Sequence, residues 1–242
     1  MTLIFKKCTF LLLPLLVLLF GCRYQKRYVA NARNAGASVV IDGIAENCWD
    51  KADWQSITEF VYDKQTTPRS IGAKFKVLWD SAHCYLFFSV TDNIKYRHDL
   101  PANNVEAELD FYNHLNENDC IQLYFFKPGY IYGEDHDVYL YGLIYNYNEA
   151  TIGFAVDKKY KTQVKFAQHD TDTGYWMEIS IPWESMGLKP AAGDKIGFKA
   201  WVVDNDNVRL QPGLLPFSES ALSWSGADAI DSKHYGTINL VR

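Results

Sequence analysis

The chain has 242 residues, of which 48% are hydrophobic and 22% are charged, and its 29 acidic residues outnumber 24 basic ones. This length suits one large domain, the composition excludes a disordered or collagen-like chain, and the net charge of −5 argues against a nucleic-acid binder. The aromatic content of 15% is typical of strand-rich proteins and of surfaces that stack on sugars.

The first residues have the pattern of a secretory signal. Lys6 and Lys7 precede an apolar run over 10–20, which is too short to span a bilayer of about 30 Å. The run ends in Leu19-Phe20-Gly21-Cys22, which resembles the lipobox of bacterial lipoproteins. We therefore predict a lipoprotein signal peptide at 1–21 and a lipid anchor at Cys22, in a membrane of the bacterial cell envelope, with the outer membrane favoured. The alternative is an ordinary secretory signal that ends in cysteine.

The segment after Cys22 reads as a connection to a folded domain. Residues 22–38 have no hydrophobic period and are interpreted as a tether, and the domain is predicted at 39–242. Three cysteines lie in this domain beside aromatic or apolar neighbours, so they are expected to pack rather than to catalyse or bind zinc: Cys48, Cys84 and Cys120. One disulfide with one free thiol, or three free thiols, both fit the sequence.

The body of the chain consists of short strand-like segments separated by turn clusters. Residues 73–79 and 175–181 alternate, and 85–91 is rich in aromatic and β-branched residues. Further predicted strands are 120–126, 138–145, 151–156, 162–166, 195–203 and 236–241. Helical signal is limited to 44–54 and to one turn at 182–186, which begins with proline and is followed by Gly187. This pattern predicts an all-β, antiparallel β-sandwich of the jelly-roll kind with one or two short helical turns.

Four segments resemble family 9 carbohydrate-binding modules. Val40-Ile-Asp-Gly43 with Glu46 and Trp49 resembles their opening, and 73–92 resembles their next paired strands. The most specific segment is Gly174-Tyr-Trp-Met-Glu-Ile-Ser-Ile-Pro-Trp183, and 222–240 resembles their closing strands. The resemblance implies a sandwich like those attached to xylanases, and a non-catalytic protein that binds an oligosaccharide or polysaccharide, as in polysaccharide utilisation. Three tryptophans in apolar contexts are expected in the core: Trp79, Trp183 and Trp201.

The resemblance also implies a place for the sugar. In sugar-binding members two tryptophans sandwich a terminal sugar ring, aided by a glutamate and an arginine. This chain has Asn116 at the first tryptophan position, Gln122 at the glutamate position and Tyr141 near the arginine position. We therefore expect a groove on the face that carries Gln122, Tyr139 and Tyr141, closed by loops near Asn116 and Trp224.

Other kinds of site have weaker support. Segments 134–137 and 204–207 are rich in oxygen ligands and are candidates for structural Ca²⁺, which modules of this family often carry. No HExxH, GxSxG, P-loop or GxGxxG motif occurs, and no enzyme is predicted. The alternatives to carbohydrate binding are an envelope interaction or assembly protein without a small ligand, and a b-haem electron carrier with Met177 and His136 as ligands. The polar run 95–118 is expected to be a functional or mobile loop.

Overall fold

The computed structural model describes residues 28–37, 39–63, 71–97, 115–126, 138–206, 220–226 and 235–242. The predictions for the signal peptide at 1–21, for Cys22 and for the segment 134–137 lie outside the described residues. Within the described ranges, no helical segment is long and apolar enough to cross a membrane.

Strands dominate the described residues, as the sequence pattern predicts. They are β1 (Val29–Asn34), β2 (Gln55–Ile57), β3 (Glu59–Asp63), β4 (Gly72–Trp79), β5 (His83–Thr91), β6 (Cys120–Phe126), β7 (Val138–Ile144), β8 (Thr151–Phe154), β9 (Lys165–Thr171), β10 (Gly174–Pro182), β11 (Lys195–Asp204), β12 (Ser220–Trp224) and β13 (Gly236–Val241). The strand predicted at 162–166 begins later than expected. Its first residues belong to a 3₁₀ turn, Lys158–Gln163, and β9 starts at Lys165.

The strands form one curled sheet that folds back on itself as a sandwich. Its order is β8-β7-β6-β11-β13-β1-β4-β5-β10-β9; in addition, β12 pairs with β11, β3 pairs with β12, and β2 pairs with β4. The two halves face each other through aromatic contacts such as Phe75 of β4 with Phe198 of β11, whose ring centroids lie 5.6 Å apart. The predicted β-sandwich is confirmed, and most of its strand pairs are antiparallel.

β1 departs from both the predicted boundary and the predicted pairing. It runs parallel to β13, with Ala32 opposite Leu240, and parallel to β4, with Arg33 opposite Leu78. Ala30 and Ala32 are fully buried in the sandwich. The interpretation of 22–38 as a tether is therefore wrong for Val29–Asn34, which join the two halves of the sheet, and the sheet is mixed rather than purely antiparallel.

Three hydrophobic clusters fill the layers. The central cluster lies between the two halves and contains residues such as Phe75, Phe198 and Trp183. The outer cluster covers the other face of β6, β7 and β11 and includes Leu115, Tyr124 and Leu140. The N-terminal cluster packs the segment around Trp49 on the outside of β4 and β5 through Leu78, Tyr85 and Phe87.

Both predicted helical turns occur, as 3₁₀ turns. Asn47–Lys51 carries Trp49 into the N-terminal cluster. Trp183–Met186 follows Pro182, and Gly187 ends it in the left-handed conformation with φ of 64°. Trp183 and Trp79 are buried as expected, whereas Trp201 is only half-buried and lies on the outer face.

The described cysteines are all free thiols. Cys84 and Cys120 are fully buried, and burial raises the pKa of each thiol well above its usual range. Cys48 is half-buried, and burial together with the charge of Glu46 raises the pKa of its thiol. None of them has the low-pKa setting that a catalytic thiol needs.

Candidate functional site

The predicted site residues lie on two different faces of the sheet. Tyr141 of β7 pairs with Leu123 of β6 and belongs to the central cluster, as does Tyr139. The Tyr141 hydroxyl lies 2.5 Å from Ser185 Oγ inside the sandwich. Gln122 points to the opposite face, because side chains alternate along a strand. The expectation that Gln122, Tyr139 and Tyr141 share one face is therefore wrong.

Trp224 also belongs to the core. It is 2% exposed, and its ring packs edge-on against Phe75 with centroids 5.2 Å apart. It therefore does not close a groove. Met177, the haem ligand of the alternative interpretation, is likewise fully buried in the central cluster, and His136 lies outside the described residues.

Asn116 and Gln122 contact each other through their side chains. Gln122 Nε2 donates a hydrogen bond of 3.1 Å to Asn116 Oδ1, and the Tyr124 hydroxyl donates one of 2.7 Å to Gln122 Oε1. The Gln122 amide is therefore held in one orientation by a neighbour on each side. Gln122 and Tyr124 share the outer face, as their spacing predicts.

Gln122 is part of a row that crosses the outer face, which we call the polar row. Register places Gly142 of β7 opposite Gln122, Gln122 opposite Trp201 of β11, and Trp201 opposite Ser223 of β12. Because directly opposed residues project to the same side of a sheet, these four positions share one face. The residue of β7 beside Gln122 on this face is thus Gly142, one position from the expected Tyr141.

Two atoms of the polar row have hydrogen-bonding capacity left over. Trp201 Nε1 and Ser223 Oγ are buried and have no hydrogen-bond partner among the described residues. A buried donor without a partner costs about 1–3 kcal/mol, so such atoms mark a place where a polar ligand can bind. The Trp201 ring is half-buried, and its centroid lies 5.7 Å from that of the Tyr124 ring, with an angle of 63° between the two ring planes.

The surroundings of the polar row are aromatic and enclosed. Leu115 packs on Gly142 so closely that a Cβ there would lie 2.4 Å from Leu115 Cδ2. In the next row, Lys199 pairs with Tyr124, and both are buried. Tyr235 stacks on Phe126 at the margin, with ring centroids 4.8 Å apart. The face thus combines amide, indole, hydroxyl and ammonium groups within an apolar wall.

A second polar centre lies inside the sandwich, where Asp92, Asp119 and Asp204 bring one carboxylate oxygen each within 4.8 Å of the others. Burial raises the pKa of Asp92 to about 6. Burial raises the pKa of Asp119 well above its usual range, and the negative charge of Asp92 adds a smaller effect in the same direction. The segment 204–207 is predicted to hold Ca²⁺, and its first residue, Asp204, belongs to this centre. We call the three residues the aspartate cluster.

A third acidic group, Asp42, Glu46 and Glu178, has a structural explanation. Glu178 Oε2 accepts hydrogen bonds from the backbone nitrogens of Asp42 and Gly43, at 3.0 and 2.9 Å, and Oε1 accepts one of 2.7 Å from Trp49 Nε1. Burial raises the pKa of Glu178, and the Trp49 bond partly offsets this effect. Glu178 therefore holds the N-terminal segment on β10.

The sequence reasoning missed Trp201 and Ser223 as site residues and Asp92 and Asp119 as partners of Asp204. Trp201 lies in an apolar strand and reads as core. Each aspartate of the cluster stands next to an asparagine at a strand end, at positions 92–93, 118–119 and 204–205. This repeated Asp/Asn pair is the sequence pattern from which the cluster could have been predicted.

Comparison with known proteins gives a consistent set of relatives. A family model described as "Carbohydrate family 9 binding domain-like" matches residues 41–242. Exoglucanase XynX of Acetivibrio thermocellus is 25% identical over 202 residues, which cover 83% of this chain but 16% of that protein. The chain therefore spans a small part of that relative.

Two solved structures share the fold. Both are of a family 9 carbohydrate-binding module from Caldicellulosiruptor kristjanssonii at 19% identity. The complex with cellotriose has a TM-score of 0.65 and covers 88% of this chain and 93% of the module. The complex with glucose has a TM-score of 0.64 and covers 88% of this chain and 96% of the module. At this identity the likeness establishes the fold.

Proposed function

Since the chain belongs to the carbohydrate family 9 binding domain-like family, a family of non-catalytic binding modules, we propose that it binds the end of an oligosaccharide or polysaccharide at the polar row. Cellotriose and glucose, the ligands of the two similar modules, support glucose-based oligosaccharides as the first candidates.

The observation that carries this proposal is the pair of unpaired buried atoms beside the fixed Gln122 amide. A sugar hydroxyl both donates and accepts hydrogen bonds, so it can accept from Trp201 Nε1 and donate to Ser223 Oγ. The indole ring offers a face for the sugar C–H groups. Amide, indole and hydroxyl groups in one row thus match the alternating polar and apolar surface of a pyranose.

The enclosure of the polar row limits the ligand to a chain end. Gln122 is 1% exposed, Ser223 is fully buried, and Leu115 packs over Gly142. Admission of a sugar requires displacement of the turn at Leu115 and Asn116, and this cost lowers the affinity. We expect micromolar to millimolar binding, roughly −8 to −4 kcal/mol.

Calorimetry against a panel of oligosaccharides tests the site. Trp201→Phe keeps a ring but removes the indole donor, and we expect it to weaken binding by about tenfold, as does Gln122→Ala. Tyr141→Phe is the matched control, because it removes a hydroxyl on the inner face of the neighbouring strand. Equal weakening by Tyr141→Phe, or no heat with any sugar, would remove this site and favour the interaction-protein alternative.

The anchoring proposal rests on the first 22 residues. The basic start, the short apolar run and Gly21-Cys22 support cleavage and lipidation at Cys22. A binding protein held in this way would retain polysaccharide at the cell envelope, with the outer membrane favoured.

Cell fractionation tests the anchor. We expect Cys22→Ser to leave the protein unprocessed or to release it from the membrane fraction, whereas Cys48→Ser behaves like the wild type. Normal processing together with full membrane retention of Cys22→Ser would contradict the anchor.

A further inference from the structure

A second row of polar and aromatic groups crosses the outer face of β4, β5, β10 and β9. Register places Lys74 of β4 opposite Ser89 of β5. Ser89 lies opposite Trp176 of β10, and Trp176 lies opposite His169 of β9. Directly opposed residues project to the same side of a sheet, so these four positions share one face. Met177, the next residue of β10, belongs to the central cluster, so this row points away from the core.

Aromatic rings follow one another along this face. Measured between centroids, the Trp54 ring lies 5.8 Å from the Phe87 ring, and the Phe87 ring lies 5.7 Å from the Trp176 ring. His169 continues the series at 6.2 Å from Trp176. Phe87 is 2% exposed and Trp54 is 39% exposed, while Trp176 is half-buried. Phe87 therefore forms a floor between two more accessible indoles, and such ring surfaces can stack on the C–H groups of sugars.

Two ammonium groups lie beside the first of these rings. Lys74 Nζ lies 4.3 Å from the centroid of the Trp54 ring, and Lys76 Nζ lies 5.0 Å from it. The quadrupole of the indole attracts both cations, and this attraction holds the two side chains beside the ring. We call Trp54, Lys74, Lys76, Trp176 and His169 the tryptophan–lysine strip.

The positive charge of the strip has no acidic counterpart within the described part of the chain. The ion pairs between described residues involve other cations. Lys76 Nζ donates a hydrogen bond of 2.7 Å to Trp49 O, which is a neutral group. Asp50 and Asp53 are exposed nearby in the sequence, but neither forms an ion pair with Lys74 or Lys76. In a chain of net charge −5, the strip is thus a local excess of positive charge that is complementary to an anionic ligand.

We propose that the tryptophan–lysine strip binds an acidic polysaccharide, one that is built from uronic acid units. Trp54 and Trp176 offer ring faces for the pyranose C–H groups. The ammonium groups of Lys74 and Lys76 pair with the sugar carboxylates through charge-assisted hydrogen bonds. The half-buried Ser89 hydroxyl lies between Lys74 and Trp176 in the row and can exchange a hydrogen bond with a sugar hydroxyl.

The strip and the polar row lie on opposite outer faces of the sandwich. The polar row crosses β7, β6, β11 and β12, the strip lies on β4, β5, β10 and β9, and the central cluster separates them. Gln122 of the polar row is 1% exposed, whereas Lys74 and His169 of the strip are exposed. An enclosed row suits the end of a sugar chain, and an open strip suits its side. The strip is therefore a second site, and it does not depend on the function proposed for the polar row.

The test is calorimetry of the full-length chain in non-ionic detergent with hexagalacturonate and with its methyl ester, which keeps the sugar chain but removes its charge. At 50 mM NaCl we expect the acid to bind about tenfold more tightly than the ester, because only the acid can pair with the lysines. At 500 mM NaCl this difference should shrink, since salt screens exposed charges.

Substitutions locate the binding. Trp54→Ala should weaken it by about tenfold, and Lys74→Gln should weaken it by about threefold and reduce its salt dependence. Lys195→Gln is the matched control, because it makes the same change of charge at an exposed position of β11, outside the strip. It should bind hexagalacturonate like the wild type, and so should Gln122→Ala, which alters the polar row alone.

Equal affinity for the acid and the ester, or equal weakening by Lys74→Gln and Lys195→Gln, would overturn the proposal. Weakening by Gln122→Ala without weakening by Trp54→Ala would place the acidic sugar at the polar row instead. Absence of binding to hexagalacturonate would also overturn the proposal. A dimer that Trp54→Ala abolishes, measured by sedimentation, would then assign the strip to contact with a second copy of the chain.

Discussion

Single side chains in this protein form hydrogen bonds between segments that are distant in sequence. Glu178 accepts three N–H groups from the segment that carries Trp49, more than 120 residues away along the chain. Trp183 Nε1 donates to Asp80 O at 3.0 Å, and Trp79 Nε1 donates to Val241 O at 2.9 Å. These side chains stabilise the fold by joining segments that are distant in sequence.

We expect Glu178→Gln to lower the free energy of unfolding by about 2–3 kcal/mol, since an amide nitrogen would face N–H donors that now bind a carboxylate. Urea denaturation measures this change. Glu184→Gln, at an exposed position in the following turn, should stay within about 0.5 kcal/mol of the wild type. Equal effects of the two substitutions would contradict the pinning role of Glu178.

Trp183→Ala should cost about 3–5 kcal/mol, because it removes a ring that is 1% exposed and packs against Phe125. Thermal unfolding followed by circular dichroism measures the loss. Trp54 is 39% exposed, so Trp54→Ala should cost far less. An unchanged Tm for Trp183→Ala would show that this ring is not part of the core.

At the scale of elements, strands with strong alternation were predictable and strands built from small residues were not. β4 and β10 carry large apolar residues at every second position, and the sequence identifies both. β1 buries only Ala30 and Ala32, so its pattern has too little hydrophobic contrast to distinguish it from a tether. Its parallel pairing is specified by distant strands and leaves no local trace.

The strands that form the candidate site could be predicted from the sequence, but the face of the sheet on which it lies could not. All seven residues of β7 are buried, so neither side of this strand carries a polar pattern that would reveal its orientation. A shift of one residue moves every side chain to the other face, which is why Tyr141 is in the core and Gly142 is beside Gln122. Gln122 and Asn116 lie together because the turn before β6 brings their side chains within hydrogen-bond distance.

The contribution of β1 can be tested with neighbouring positions. Ala32→Asp places a charge in the central cluster and should lower the free energy of unfolding by more than about 3 kcal/mol. Arg33→Asp, at an exposed position of the same strand, should change it by less than about 1 kcal/mol. The measurement is the urea midpoint. Equal tolerance of both substitutions would restore the interpretation of this segment as a tether.

At the scale of the whole molecule, each hydrophobic cluster holds one cysteine. Cys84 lies in the central cluster and Cys120 in the outer cluster, while Cys48 packs against the N-terminal cluster. Thiol reactivity therefore reports on the three layers separately. The same three positions show whether the layers open together or in sequence.

In a background with Cys8→Ser and Cys22→Ser, we expect a thiol reagent to modify Cys48 in the native protein, slowly because its pKa is raised. Cys84 and Cys120 should react only on global unfolding and at the same rate, since both are fully buried. Mass spectrometry at intervals measures the three rates. Modification of Cys120 well before Cys84 would show that the outer layer opens independently.

The parallel pair of β1 and β13 has a consequence for the time course of biogenesis. Asn31 and Asn239, which hydrogen-bond through their side chains at 3.1 Å, are 208 positions apart. At about 5–20 residues per second, roughly 10–40 s pass between synthesis of the first partner and synthesis of the second. Throughout that interval the two halves of the sheet lack the strand that joins them. The sheet therefore cannot close between β11 and β1 until β13 has been synthesised, which sets the earliest time at which the sandwich is complete.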